Sequence, residues 1–386
     1  MKKVRFGIIG LGVMGSCHAK QVLDGQVGRC ELTALCDIKP QQLSQFDNSI
    51  RKFDDSRKLI RSGEVDAVLI ATPHYGHTTI GIDALQQGLH VLVEKPISVH
   101  KADCQRLIAA HKNKKQVFAA MFQMRTDPHY KKVKELVANG TLGKLLRVNW
   151  IITDWFRTEF YYAMGNWRAT WAGEGGGVLL NQCPHNLDLL QWICGMPKRV
   201  RAFCGIGERH NIEVEDAVTA YLEFSNGATG VFVTTTGEAP GTNRLEIAGD
   251  NGKLVIEAGK IVFTRNEVPA TNFSHTCKQP FASPGVWHIE IPILGFGGQH
   301  IEIKQNFVDA ILDGAPLIAP AREGIHSVEL ANAMLYSSMT EKTVDLPLNA
   351  LAYEKLIKRL IKGSKFVKKA ALGTKNVDIN ASFRSA

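Results

Sequence analysis

The sequence predicts an α/β first domain, a doubly wound parallel sheet with helices on both faces, joined to an α+β second domain with a large, mostly antiparallel open sheet. Three observations carry this. Short apolar runs alternate with helical stretches through the first third of the chain, as in strands joined by crossover helices. From about residue 199 the pattern becomes strand-like pairs separated by turn residues. A chain of 386 residues also exceeds what one hydrophobic core ordinarily encloses. The expected division is 1–123, 124–350, and a C-terminal helix with a basic tail at 351–386.

Taken in order, the runs at 5–9, 31–36, 67–71, 90–93 and 117–121 are nearly continuously apolar, as strands buried on both faces should be. Between them, 14–23, 78–87 and 101–112 read as helices. A helix at 130–138 and a long strand at 145–153 follow, and then a Gly-rich segment opens an apolar helix at 178–194. Strands at 217–224 and 229–236 flank Asn226-Gly227, and strands at 245–248 and 254–257 flank Asp250-Asn251-Gly252, both with the residues of a type I′ hairpin. The stretch 267–298 has weak periodicity and several Gly and Pro residues, and is expected to be a long loop beside the site. Helices at 301–312 and 323–336 are expected to pack back across the molecule.

Composition narrows the function classes. No apolar run approaches the roughly 20 residues of a membrane span, and the N-terminal run is too short for a secretory signal, so a cytoplasmic chain without a membrane partner is expected. The eight cysteines are dispersed with no C-x-x-C pair, which suits reduced thiols better than a disulfide frame or zinc site. Much of the +9 charge sits at Lys355, Lys358, Arg359, Lys362, Lys365, Lys368 and Lys369. No basic stripe interleaved with aromatics is present, so no nucleic-acid partner is expected. His275, Cys277, His288 and Glu290 match no standard spacing, and no metal is expected.

The first strand runs directly into Gly10-x-Gly12-x-x-Gly15 at a strand-to-helix junction. There a pyrophosphate can approach the backbone and meet the free N–H groups and dipole of a helix N-terminus. Gly10, Gly12, Val13, Met14 and Gly15 are therefore the expected cofactor loop. Asp37 ends the second strand-like run and fits the acid that grips the adenosine ribose hydroxyls. An aspartate there repels a 2′-phosphate, so the Rossmann-type cofactor is expected to be NAD, with NADP less favoured; nearby Lys39 leaves dual use open.

Two further segments add chemistry. The run 90–93 ends in Glu94-Lys95-Pro96, at the carboxyl edge where doubly wound sheets bind ligands. The second segment, 175–188, begins Gly175-Gly176-Gly177 and contains Asn181, Pro184, His185 and Asp188. If helical, Asn181 and His185 are i and i+4 and share a face. The glycine fingerprint, the Glu-Lys-Pro turn, the Gly-Gly-Gly to His-x-x-Asp segment and the hairpin-rich second half together resemble the Gfo/Idh/MocA family, named for glucose–fructose oxidoreductase, inositol dehydrogenase and a rhizopine-catabolism protein.

The resemblance covers most of the chain. It implies that Lys95 contacts the reacting hydroxyl and nicotinamide region and that His185 is the general acid/base. It also places Thr72, Pro73, His77 and Glu94 near the cofactor, Gln123 at the nicotinamide ribose, and Arg168 near both cofactor and substrate. Association into a homodimer or tetramer through the open sheet face is implied too. One departure stands out: family dehydrogenases usually carry aspartate four positions before the histidine, where this chain has the uncharged Asn181. Asp188 reads equally as a carboxylate orienting the imidazole or as a structural group, and Arg125 reads as a cofactor-side or ion-pairing residue.

These residue types suit alcohol oxidation. A neutral imidazole can take the hydroxyl proton as hydride leaves the same carbon, and a cationic lysine stabilises the developing alkoxide. Trp155, Arg157, Tyr162, Trp167 and Arg168 form the richest aromatic and arginine cluster. It suits the apolar faces and hydroxyl rims of carbohydrates, although such clusters are as often core or interface. With Lys95, Asn181 and His185 they form the expected substrate set. No phosphate-specific arginine cluster is visible. The expected function is an NAD(H)-dependent dehydrogenase or reductase acting on a secondary hydroxyl of an unphosphorylated sugar, glycoside or cyclitol. The rivals are an NAD-retaining glycosidase, lyase or epimerase working through a transient ketone, and a non-catalytic NAD-binding regulator.

Overall fold

Val4–Ile9 (β1) is almost wholly buried and pairs in parallel on both sides, which fixes it at the centre of the first sheet. The structure, a computed structural model, describes residues 3–165 and 167–368. Asn166 and the basic tail from Lys369 onward lie outside the described residues. The chain continues through Val13–Leu23 (α1), Cys30–Cys36 (β2), Pro40–Leu43 (α2), Arg51–Phe53 (β3), Ser56–Ile60 (α3), Ala67–Ile70 (β4), His74–Gln86 (α4), His90–Val93 (β5), Lys101–Ala110 (α5) and Phe118–Ala120 (β6). The order is β3-β2-β1-β4-β5-β6 and every pairing is parallel. Strand order reverses between β1 and β4, which opens a ligand crevice at the carboxyl ends of the strands. The three-residue β3 is half exposed and has no apolar run to betray it in the sequence.

The second half contains Pro128–Ala138 (α6), Leu145–Ile152 (β7), Glu159–Ala163 (α7), Pro184–Cys194 (α8), Arg199–Ile206 (β8), Glu215–Glu223 (β9), Thr229–Thr235 (β10), Asn243–Gly249 (β11), Gly252–Glu257 (β12), Lys260–Asn266 (β13), Ala270–Thr276 (α9), Val286–Ile291 (β14), Gln299–Asp313 (α10), Gly324–Thr340 (α11), Val344–Asp345 (β15) and Ala350–Gly363 (α12). Among the described residues, nine strands form one sheet in the order β14-β13-β12-β11-β7-β10-β9-β8-β15, antiparallel except where β10 meets β7. One face is the core, with Val148, Trp150, Leu222, Phe232 and Leu245 buried against α8 and α11. The register puts Ile151, Phe203, Tyr221, Val231 and Val233 on the other face, where Phe203 is 62% and Tyr221 44% exposed.

Four expectations are corrected. Residues 178–183 form turns, and the helix starts only at Pro184, because proline lacks the N–H a helix interior needs but suits its first turn. Both hairpins form, but Asn226 has no positive φ and the N–H of Gly227 (φ +88°) donates to the carbonyl of Phe224; this is a type I turn closed by a left-handed glycine, not type I′. Neither Asp250 nor Asn251 has positive φ, so that turn is not type I′ either. The stretch 267–298 is not one long loop: it holds α9 and β14, which pairs with β13 at the sheet edge.

The chain then returns to the first sheet. Ile303, Phe307 and Val308 of α10 join the first core, with the Phe307 ring 6.0 Å from that of Phe6. All eight cysteines are free thiols, and among the described residues no helix is long and apolar enough to cross a membrane.

Candidate active site

The glycine loop is held from beneath. Gly10 (φ +93°) donates its N–H to the Cys36 carbonyl at 2.8 Å, and a Cβ there would meet the Ala71–Thr72 backbone. A Cβ on Gly15 would land on the Gly10 carbonyl oxygen, whereas one on Gly12 would enter open space. The first-turn N–H groups of Val13, Met14 and Gly15 have no carbonyl inside the helix to bond, and no side chain caps α1. Asp37 at the end of β2 accepts from Leu11 N at 2.7 Å and Lys39 N at 2.8 Å, so its carboxylate is fixed beside the loop. Thr72 Oγ1, beyond β4, is buried without a partner among the described residues. Open space at Gly12, a bare helix N-terminus and an orphaned hydroxyl across the crevice fit a dinucleotide.

Beyond β5 the chain turns at Glu94-Lys95-Pro96. Glu94 lies 2.7 Å from His18 Nε2 on α1 and accepts from Lys95 N at 3.2 Å. Lys304 Nζ of α10 lies 3.4 Å from His18 Nδ1, which makes Nδ1 the acceptor and leaves Nε2–H to donate to Glu94. Glu94, expected at the cofactor, thus ties the Lys95 turn to the helix that bears the glycine loop. His77 Nδ1 and Nε2 each lie 2.8 Å from a backbone carbonyl, those of Pro96 and Thr72. The ring ties the Thr72-Pro73 turn to the Lys95 turn, and its nitrogens are taken. Lys95 Nζ donates to the backbone carbonyl of Asn181 at 2.8 Å. Burial lowers its pKa from the ordinary 10.5; Glu94 and Glu174 act to raise it and Arg168 to lower it.

The second catalytic candidate arrives on a turn clamped by β9. Glu215 Oε1 accepts from Gly177 N (2.8 Å) and Leu179 N (3.2 Å), and the Glu215 carbonyl accepts from Val178 N at 2.9 Å. A Cβ on Gly177 would strike that carbonyl. The clamp delivers Asn181 to Lys95 and His185 to the first turn of α8. Asn181 and His185 therefore do not share a helix face; they meet the site from a turn and a helix start. His185 is 3% exposed, with its Nε2 3.0 Å from the Gln123 amide nitrogen. As placed, Gln123 donates and the neutral ring carries its proton on Nδ1, which has no partner; turning the amide over reverses both roles. Gln123, expected at the nicotinamide ribose, contacts the histidine through its amide nitrogen, and its amide oxygen is buried without a partner among the described residues. Burial, then the charge of Lys95, pushes the His185 pKa well below 6.5.

Asp188 does not orient His185. It pairs bidentately with Arg125 at 2.6 and 2.7 Å, both side chains being 1% exposed, and Arg125 also reaches Glu323 at 2.5 Å. Arg125 is thus the structural partner that the sequence allowed.

The aromatic and arginine cluster divides in two. Arg168 donates to the Tyr161 hydroxyl at 2.8 Å and stacks 4.8 Å from both the Tyr161 and Trp167 rings. Arg157 stacks over Trp155 and Tyr161 at 5.4 and 5.2 Å. Tyr161 in turn donates to Asn181 Oδ1 at 3.1 Å. Tyr162, the expected substrate contact, is a core residue: its hydroxyl bonds Thr236 Oγ1 at 2.7 Å and its ring packs 4.7 Å from His210. Sequence reasoning also missed Glu174, which is 1% exposed and accepts from Ala169 N at 2.6 Å and from the Asn181 amide. No spacing rule points to it.

Residues 4–122 match the model of the oxidoreductase family with an NAD-binding Rossmann fold, and residues 130–255 match the Gfo/Idh/MocA C-terminal domain. The chain belongs to the Gfo/Idh/MocA family. It is an NAD-binding oxidoreductase. Levoglucosan dehydrogenase of Pseudarthrobacter phenanthrenivorans is 24% identical over 90% of this chain and 99% of its own length. Myo-inositol 2-dehydrogenase of Thermotoga maritima is 25% identical over 89% and 98%. Among solved structures, the WlbA dehydrogenase of Bordetella pertussis, in complex with NADH and UDP-GlcNAcA, superposes with a TM-score of 0.75 at 25% identity, covering 90% of this chain and 100% of that one.

Proposed function

We propose that the protein moves hydride between NAD(H) and a secondary hydroxyl, or keto group, of a sugar, glycoside or cyclitol. The observation that carries this reading is the convergence of Lys95 and His185: the lysine is tethered to the Asn181 carbonyl, and the imidazole is held neutral by burial and by that lysine's charge. Bound NAD supplies the hydride acceptor. With the Gln123 amide turned so that its oxygen accepts from Nε2–H, Nδ1 of His185 carries the lone pair that takes the hydroxyl proton, and returns it in the reverse direction. Lys95 turns its ammonium to the alkoxide oxygen as charge develops there. Arg157, Arg168, Trp155 and Trp167 offer donors and apolar faces to a polyhydroxylated ring, and the names of the relatives, a levoglucosan and a myo-inositol dehydrogenase, support that substrate class.

The exposed apolar stripe of Ile151, Phe203 and Tyr221 supports association of identical subunits through the open sheet. Free thiols and the lack of a membrane-spanning helix among the described residues support a cytoplasmic setting. The test is a panel of sugars, glycosides and cyclitols with NAD and NADP side by side. Net NADH accumulation is expected; turnover without it would favour a reaction that regenerates NAD.

A further inference from the structure

We propose that Glu174 is a positioning residue for the reaction: it aims the Lys95 ammonium through Asn181 and adds to Glu94 the negative charge that offsets Arg168. The inference rests on the role given above to Lys95.

The geometry is a short chain of contacts. Glu174 Oε1 accepts from the Asn181 amide, while the Asn181 backbone carbonyl accepts from Lys95 Nζ at 2.8 Å. With its Nδ2 held by the carboxylate, the Asn181 side chain turns Oδ1 toward the Tyr161 hydroxyl, 3.1 Å away, which accepts from Arg168. Glu174 therefore fixes the residue to which Lys95 is tethered. It also links that residue to the arginine beside the substrate region.

Lys95 and Arg168 are both cations here, and each disfavours the other's charge in a buried setting. Asn181 has none to offer. Glu94, which His18 and the Lys95 N–H hold in place, is the stronger of the two carboxylates that favour the lysine's charge, and Glu174 is the second, set against Arg168. Glu174 itself meets charged and titratable groups from every element around it. Arg168 lies on its own loop and Lys95 beyond β5. Lys368, which donates to the Arg168 carbonyl at 2.8 Å, comes from the C-terminal segment. His74 of α4 lies 3.2 Å from the Glu174 carbonyl, and Glu215 of β9 and Tyr162 of α7 also feel its charge. Burial raises the Glu174 pKa above the ordinary 4.5, and Arg168 is the strongest influence opposing that rise. Such a buried acid is poorly explained as loop packing alone, because a neutral residue could accept from Ala169 N without the desolvation cost.

The test follows Lys95 itself. Competitive labelling with acetic anhydride over a pH series, read by mass spectrometry of the Lys95 peptide, gives the lysine's titration midpoint in the folded protein. In Glu174→Gln the midpoint is expected to fall by about one pH unit. Adding Asn181→Asp returns a carboxylate on the residue whose side chain Glu174 contacts and whose carbonyl holds Lys95, and the double variant is expected to recover most of that fall. Glu174→Asp, which draws the carboxylate back, is expected to give an intermediate midpoint; it serves alone if the glutamine variant does not fold. A midpoint unchanged in the folded variants, even with lowered thermal stability, overturns the inference and leaves Glu174 a loop cap. The labelling needs no turnover, so a protein inactive on every polyol would refute the proposed function while this result still stands or falls by itself. With an active substrate, the alkaline limb of kcat moves down with the Lys95 midpoint and KM for NAD stays unchanged.

Discussion

Glu215 gives the sharpest handle on how the second half of the site is held. It is 1% exposed, one oxygen clamps Gly177 N and Leu179 N, and the other has no partner among the described residues. Burial pushes its pKa from 4.5 up to about 7, despite the backbone donors that favour the anion. A carboxyl raised in the folded state stays protonated there while its unfolded counterpart ionises. Stability is therefore lost as pH rises from 4.5 and the penalty is complete above about 7. At about 1.4 kcal/mol per pH unit, that gap amounts to about 3 kcal/mol. Glu215→Gln keeps the acceptor for both N–H groups and removes the titration. Any cost of its buried amide is independent of pH and offsets the curve without tilting it. Urea unfolding of both proteins from pH 4 to 8, followed by the fluorescence of tryptophans such as Trp150 and Trp171 in the same core, should show the wild type losing about 3 kcal/mol relative to the variant across that window. A difference flat to within about 1 kcal/mol would show that burial does not dominate at Glu215 and that the clamp is an ordinary carboxylate.

Other expectations follow from the same contacts. Arg125→Leu leaves Asp188 buried and unpaired, and should cost about 3–5 kcal/mol in urea unfolding, with loss of the register between Gln123 and His185. Asp37→Ala removes the carboxylate fixed beside the glycine loop; if Asp37 grips the ribose hydroxyls, the NAD to NADP ratio of kcat/KM should fall at least tenfold, and an unchanged ratio would remove Asp37 from cofactor selection. The acid limb of kcat/KM should lie below pH 6.5, because burial and Lys95 lower the His185 pKa and keep the base form present through neutral pH. An acid limb above 6.5 in the pH–rate profile would contradict that environment.

The glycine loop, Asp37 and the Glu-Lys-Pro turn were legible because local covalent geometry dictates them. Gly10 needs its positive φ, Gly15 has no room for a Cβ, and a lysine just past a buried strand has nowhere to go but the crevice. The segment 178–194 misled because an apolar run reads alike as helix or as buried turn, and Pro184 was the one signal of the true start. Tyr161 and Tyr162 share a sequence context, and only the pairing of Thr236 and Arg168 with one or the other separates core from cleft. The supports of the site were invisible for a different reason. His18, Glu94 and Lys304 lie far apart in the chain, as do Glu174 and Lys95. No periodicity or spacing encodes a buried polar contact between distant segments; it appears only once the two sheets are in place.

The central claim is that Lys95 and His185 act together on one hydroxyl. Its most direct test is NADH formation by the wild type, Lys95→Met and His185→Asn on the best substrate of the polyol panel, alongside NADH binding by fluorescence. Each variant should lose about 10²–10⁴-fold in kcat while retaining cofactor binding. Turnover within a few-fold of wild type in either variant would contradict the account.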